Sequence, residues 1–77
     1  MKVIYDPDKD ILQIIFIATT VEETAQLAPG LVVDYDVDGN TIGLEIAKAS
    51  TKVDNPYDIS YRVGEANGDK PRPQEHG

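Results

Sequence analysis

Residues 31–46 read LVVDYDVDGNTIGLEI, two apolar runs that alternate with polar residues around an Asp-Gly pair. An Asp-Gly pair between alternating runs is one of the strongest short-range signals for a β-hairpin. A loop of two or four residues pairs residues whose numbers sum to 77, and all the large side chains then share one face. The predicted pairs are Leu31 with Ile46, Val33 with Leu44 and Tyr35 with Ile42. A three-residue loop would instead set apolar residues opposite polar ones.

A second hairpin is predicted at the start of the chain, around the turn-forming residues 7–10. Such a four-residue loop places Tyr5 opposite Leu12 and Val3 opposite Ile14, and Phe16 extends the same side. We interpret the carboxylates of this region as turn-forming and solubilising groups rather than as a metal site.

Weaker patterns follow on either side of the central hairpin. Residues 21–27 alternate as a partly exposed strand, and residues 57–63 alternate strictly as a final strand. Ser50 is positioned to cap a single helical turn through Val53, which Pro56 would stop. The fold class is therefore mainly β, or α+β if the one short helical turn is counted, with an antiparallel sheet of about five or six strands built from consecutive hairpins.

The chain is short enough for one domain only. It has 77 residues and no cysteine, so neither disulfides nor a thiolate metal cage can supplement its core. We expect a single β-rich domain over residues 1–63. Residues 64–77 contain no aliphatic side chain larger than alanine, and we expect them to form a disordered C-terminal tail.

The charge of the chain is strongly acidic, with a net charge of −7 concentrated in residues 1–45. A phosphate backbone repels such a surface, and there is no cluster of Lys or Arg, so nucleic-acid binding is not expected. A basic protein partner is electrostatically permitted. The longest apolar run is far below the ~18 residues of a membrane span, so we expect a cytoplasmic protein.

The sharpest chemical motif lies inside the central hairpin. Asp34, Asp36 and Asp38, followed by Gly39 and then Glu45, fit the spacing of an EF-hand calcium loop. An EF-hand loop joins two helices, whereas alternating strands flank this one. We therefore expect a hairpin turn with solvated carboxylates that share the polar face. An acidic calcium or metal site at these four carboxylates is the alternative.

Nothing in the sequence assembles a catalytic group. Glu22 and Glu23 could join Glu45 as an acid and base pair, but no pocket is indicated that would separate their pKa values. The only histidine, His76, lies in the predicted tail. We expect no enzyme activity and no cofactor.

The first hairpin has a second apolar face, which its own pairing leaves uncovered. Its members are Ile4, Ile11, Ile15 and Ile17. No predicted helix is long enough to cover them, and a patch of large aliphatic side chains normally marks an interaction site. These isoleucines are the predicted interface of a homo-oligomer, most simply a dimer. The alternative is that the final strand or residues 50–56 cover them internally.

The order of these features resembles a known family of small prokaryotic proteins, the domain of unknown function 2283. The residues that carry the resemblance are Tyr5-Asp6-Pro7, Leu12, Ile14, Ala28-Pro29-Gly30, Asp34-Tyr35-Asp36, Gly39, Gly43 and Glu45-Ile46. The resemblance covers residues 1 to about 50 and implies a compact β-rich fold with no assigned catalytic residue. By analogy it also implies a neutralising partner for a small toxin-like protein. The sequence therefore favours a non-catalytic β-module for self-assembly or protein binding.

Overall fold

Five antiparallel strands form one sheet in the computed structural model, which describes residues 1–65. The strands are β1 (Lys2–Asp6), β2 (Ile11–Ile15), β3 (Glu23–Ala28), β4 (Leu31–Tyr35) and β5 (Thr41–Ala47), and a single 3-10 turn follows at Ala49–Thr51. The order across the sheet is β1-β2-β5-β4-β3. The predicted mainly β fold with one short helical turn is confirmed. Among the described residues, no helix is long and apolar enough to cross a membrane.

The first hairpin has the predicted register. Val3 lies opposite Ile14 and Tyr5 lies opposite Leu12. The side chain of Asp6 organises the loop, because its Oδ1 accepts hydrogen bonds from the backbone N–H groups of Asp8 (3.0 Å) and Lys9 (3.2 Å). Asp10 closes the loop in the left-handed region, at φ 56°.

The central hairpin keeps its predicted register over most of its length. Leu31 pairs with Ile46 and Val33 with Leu44, but Tyr35 pairs with Thr41 rather than with Ile42. The prediction was wrong at this end because the loop has three residues, not two or four. It is closed by hydrogen bonds from Asp36 N to Asn40 O and from Gly39 N to Asp36 O, both 3.0 Å.

A β-bulge between this loop and the sheet restores the register. Gly39 has φ 84°, as expected for the left-handed residue of a three-residue hairpin loop. The pairing then shifts between Asp34 and Tyr35, which leaves Ile42 as the additional residue on β5. The carbonyl oxygen of Ile42 accepts from the N–H groups of Phe16 (2.8 Å) and Ile17 (3.2 Å), so the bulge also fixes the chain that leaves β2.

The predicted final strand at residues 57–63 does not form. This segment has no strand pairing in the structure, and its apolar side chains are exposed: Tyr57, Ile59, Tyr61 and Val63. Residues 53–60 instead lie beside Val3, Tyr5 and Leu12, across one face of the first hairpin. Alternation alone does not make a strand, because a strand also needs backbone hydrogen bonds to a neighbouring strand, and residues 57–63 make none to either edge of the sheet. The predicted 64–77 tail falls, from residue 66 onward, outside the described residues.

The 3-10 turn lies two residues earlier than predicted and is not capped by Ser50. The residue before the turn is Lys48, in the left-handed region at φ 52°, and it makes no side-chain cap. Ser50 uses its hydroxyl to donate to Asp10 instead.

The pairing sorts the strand residues onto two faces. What we call the apolar face carries Val3, Tyr5, Leu12, Ile14, Leu31, Val33, Leu44 and Ile46, and the polar face carries Lys2, Ile4, Asp6, Ile11, Gln13, Ile15, Val32, Asp34, Gly43 and Glu45. The apolar side chains that are buried are Leu12, Val33, Ile42 and Ala49. No large side chain among residues 1–65 is completely enclosed. The described chain is thus one layer of sheet without a second layer.

Candidate functional site

The predicted isoleucine interface lies on the polar face, where register places three of its members around one glutamine. Ile4 pairs with Gln13, while Ile11 and Ile15 are two residues away on the same strand as Gln13. Ile17 follows the end of β2. Ile4 and Ile17 are 42% and 57% exposed, whereas Ile11 and Ile15 are half-buried. The four residues therefore present an uneven surface, broken by Gln13.

The four carboxylates of the EF-hand-like motif do not converge in the structure. Asp36 turns its side chain into the hairpin loop, where its Oδ1 accepts from Asp38 N (2.9 Å) and Asn40 N (2.8 Å). Its Oδ2 accepts from the amide of Asn40 at 3.1 Å. The hydrogen bonds from Asn40 are the main reason that the pKa of Asp36 is lowered. No group of three or more potential metal ligands is found within residues 1–65.

Asp34 and Glu45 share the polar face on diagonal positions, as predicted. The prediction that the carboxylates are solvated is wrong for Asp34, which is only 7% exposed. Its burial reflects the chain that leaves β2, because residues 17–21 border the same concavity as Asp34. Nothing in the sequence indicated that this connection would fold back over the central strands.

A hydrogen-bonded cluster around Asp10 was also not predicted. Its Oδ1 accepts from the Tyr5 hydroxyl (2.7 Å) and from Ser50 N (2.9 Å), and its Oδ2 accepts from the Ser50 hydroxyl (2.6 Å). The Asp10 carbonyl accepts from Ala49 N at 3.0 Å. This one residue therefore fastens the 3-10 turn to the first hairpin, across a sequence separation of 40 residues.

The cluster shifts the ionisation of both acidic partners. The bonds from Ser50 and Tyr5 stabilise the carboxylate and lower the pKa of Asp10. Donation to Asp10 raises the pKa of Tyr5 to about 12, because its phenolate would meet a carboxylate. Hydroxyls that donate to a carboxylate without an intervening imidazole lack the base that activates a nucleophile. We interpret the cluster as structural.

Two of the open concavities formed by residues 1–65 lie on opposite faces of the sheet. One, of about 430 Å³, lies on the apolar face between the first hairpin and residues 53–60. The Tyr57 ring closes part of it by meeting the Tyr5 ring edge-on, at a centroid distance of 5.1 Å. The other, of about 410 Å³, lies on the polar face, with Asp34, Gln13, Thr19 and Thr20 as its polar lining.

The carboxylates considered for acid and base chemistry are set apart by the strand order. Glu23 is in the edge strand β3 and Glu22 precedes it, whereas Glu45 is in β5, and β4 lies between the two strands. His76 lies outside the described residues.

The turns and strands described above are those of a recognised sequence family. No curated protein and no solved structure matches the chain. A family model described as "Protein of unknown function (DUF2283)" matches residues 2–50, which span all five strands. The chain belongs to this family, as its turn residues had indicated.

Proposed function

We propose that this protein is a non-catalytic assembly module, which completes its fold by packing the apolar face of its sheet against a second copy of the same chain. One observation carries the proposal. The described chain has a single layer of sheet and buries four apolar side chains, none of them large and completely enclosed. A sheet with an apolar face needs a second layer to bury it.

The distribution of charge favours the apolar face for this contact. No charged residue lies on that face in β1, β2, β4 or β5, whereas the polar face carries Lys2, Asp6, Asp34 and Glu45. Two copies each with a net charge of −7 repel one another, so the contact that costs least excludes the charged groups. Apolar faces packed as a sandwich satisfy this condition.

The uncovered part of the face suits a small interface. Residues 53–60 cover the end at β1, which leaves the part over β2, β5 and β4 for the second copy. Three strands spaced by about 4.8 Å, each about six residues long at about 3.4 Å per residue, give a flat area of roughly 300 Å². Side-chain relief increases the accessible area, but it stays below the roughly 800 Å² per partner of a standard interface, as in a weak dimer.

The isoleucine patch predicted from the sequence is the second candidate interface. Ile4 and Ile17 are the observation in its favour, because both are more than a third exposed. It is the weaker candidate, since Gln13 and Glu45 lie on the same face beside it.

Single introduced cysteines distinguish the two faces, because the natural chain has none. We expect Leu44→Cys or Ile14→Cys, on the apolar face, to form a covalent dimer under mild oxidation. Ile4→Cys and Gln13→Cys are the matched controls on the polar face, and we expect them to stay largely uncrosslinked. Crosslinking confined to the polar face would show that the isoleucine patch, and not the apolar face, is the interface. No crosslinking on either face, together with a monomeric mass of the folded variants in sedimentation, would contradict self-assembly.

A further inference from the structure

Asp34 is the one buried charged residue among residues 1–65. No hydrogen bond within the described part of the chain reaches its carboxylate. Buried carboxylates are normally paired or hydrogen-bonded, because removing the charge from water is costly. The carboxylate of Asp34 is therefore a group whose partner the folded strands do not supply.

The surroundings of Asp34 leave room for such a partner. Its concavity of about 410 Å³ lies within the size range of small-ligand sites. Gly43, directly opposite on β5, keeps the approach to the carboxylate open, because a Cβ at this position would stand 3.1 Å from Asp34 Oδ2. The remaining wall is aliphatic and includes the side chains of Ile15, Ile17 and Val21.

We propose that this concavity binds an alkyl-linked cation, an ammonium or guanidinium group on an aliphatic stem, with Asp34 as its counter-ion. One carboxylate matches one positive charge, and the neighbouring Gln13, Thr19 and Thr20 offer further hydrogen-bond acceptors. The side chains of Ile15, Ile17 and Val21 can pack against the aliphatic stem. The acidic surface of the chain raises the local concentration of cations.

A bare divalent cation fits this site less well than an alkyl cation. Calcium takes six to eight oxygen ligands, and residues 1–65 contain no group of three acidic or histidine ligands. The site lies on the face opposite the proposed dimer contact. It goes beyond the proposed function, and either proposal can fail without the other.

The test follows backbone amide resonances of the isotope-labelled full chain during titration with butylammonium and with butylguanidinium. We expect saturable shifts centred on Gln13, Thr19, Thr20 and Gly43. Asp34→Asn preserves the shape of the side chain, and we expect it to weaken binding at least about tenfold, or roughly 1.4 kcal/mol. Glu45→Gln is the matched control, because it removes one charge from the same face outside this concavity, and its affinity should change less than about twofold.

Two further measurements keep the test decisive if Asp34→Asn behaves unexpectedly. Because the variant removes an unpaired buried charge, its Tm should equal or exceed that of the natural protein. A Tm lower by more than about 5 °C would show that the carboxylate has a partner within the folded chain, and would overturn the proposal. Ile17→Ala, at a position already 57% exposed, should fold normally and weaken binding about threefold through loss of the stem contact.

A parallel titration with a peptide identifies the source of the cation. An acetylated, amidated tripeptide with a central lysine or arginine presents the same head group on a polypeptide. Binding of the tripeptide at least as tight as that of the free amine assigns the site to a partner's side chain, and binding of the free amine alone assigns it to a small molecule. Besides a lowered Tm of Asp34→Asn, three titration results would overturn the proposal: no saturable shift at about 50 mM ligand, equal affinity in Asp34→Asn, or tighter binding of calcium at the same residues.

Discussion

At the scale of single residues, two aspartates fix the loops at the ends of the sheet through hydrogen bonds. Asp10 ties the first hairpin to the turn after β5, and Asp36 organises the central loop from within. Both accept several hydrogen bonds as carboxylates, and both have a lowered pKa. Protonation therefore weakens the folded state at both positions.

Acid should destabilise the protein in a defined window. A group whose folded pKa lies below its usual value of 3.8 contributes stability that is present above that pH and is lost as the pH falls through the folded pKa. We expect Asp10→Asn to lower Tm by several degrees at neutral pH and to flatten the loss of Tm below pH ~4. Asp58→Asn is the control, because the Asp58 carboxylate accepts no hydrogen bond among the described residues. Equal acid sensitivity in Asp10→Asn and the natural protein would contradict this role.

The ionisation of Tyr5 should dominate the loss of stability at alkaline pH. Its folded pKa of about 12 exceeds the usual 10.0, so its contribution is complete below pH 10 and is lost as the pH rises towards 12. Tyrosinate absorbance should show one of the four tyrosines ionising about two pH units late. Tyr5→Phe should remove that late step. A late step that persists in Tyr5→Phe would assign it to another tyrosine.

The EF-hand-like carboxylates should not bind calcium. Asp36 already accepts three hydrogen bonds inside its loop, and a metal ion would have to displace them. Calorimetric titration at millimolar calcium should give no specific heat. A dissociation constant below about 0.1 mM that Asp36→Asn abolishes would restore the metal alternative.

At the scale of elements, the close approach of β4, β5 and β2 at Gly43 sets the packing of the sheet. A Cβ there would lie 3.1 Å from both Asp34 Oδ2 and the backbone oxygen of Ile14. We expect Gly43→Ala to lower the free energy of unfolding by about 1–3 kcal/mol, as overpacking does. Gly64→Ala, where a Cβ meets nothing within 4 Å, is the control and should stay within about 0.5 kcal/mol in urea unfolding. Equal stability of both variants would mean that the strands separate easily at Gly43.

The sequence predicts the hairpins well because register depends on parity. The pairing of Val33 with Leu44 followed from alternation alone, yet the loop length did not. A three-residue loop followed by one extra residue on β5 gives the same parity as a two-residue loop, so alternation cannot distinguish them. The bulge at Ile42 was hidden for this reason.

The alternation of apolar and polar residues was not enough to predict the course of residues 57–63, the burial of Asp34 or the hydrogen bonds of Asp10. Residues 57–63 alternate, but alternation does not determine whether a segment pairs with a sheet edge or lies across a face of the sheet, as residues 53–60 do. Asp34 falls on the polar face by parity, and only the path of residues 17–21 makes it buried. The hydrogen bonds between Asp10 and Ser50 join positions 40 residues apart, and no local sequence pattern predicts them.

At the scale of the whole molecule, the sheet formed by residues 1–65 has no second layer of sheet or helix packed against it. A small chain without disulfides must bury apolar surface to be stable, and residues 1–65 leave half-covered a face that carries no charged residue in β1, β2, β4 or β5. A second copy of the chain would cover the rest of the apolar face, of which residues 53–60 cover only the end at β1.

Sedimentation equilibrium of the full chain across micromolar concentrations tests this claim most directly. We predict a particle of twice the 8.4 kDa chain mass, whose dissociation on dilution is accompanied by loss of β structure. A particle of 8.4 kDa at every concentration, with its sheet intact, would contradict the account.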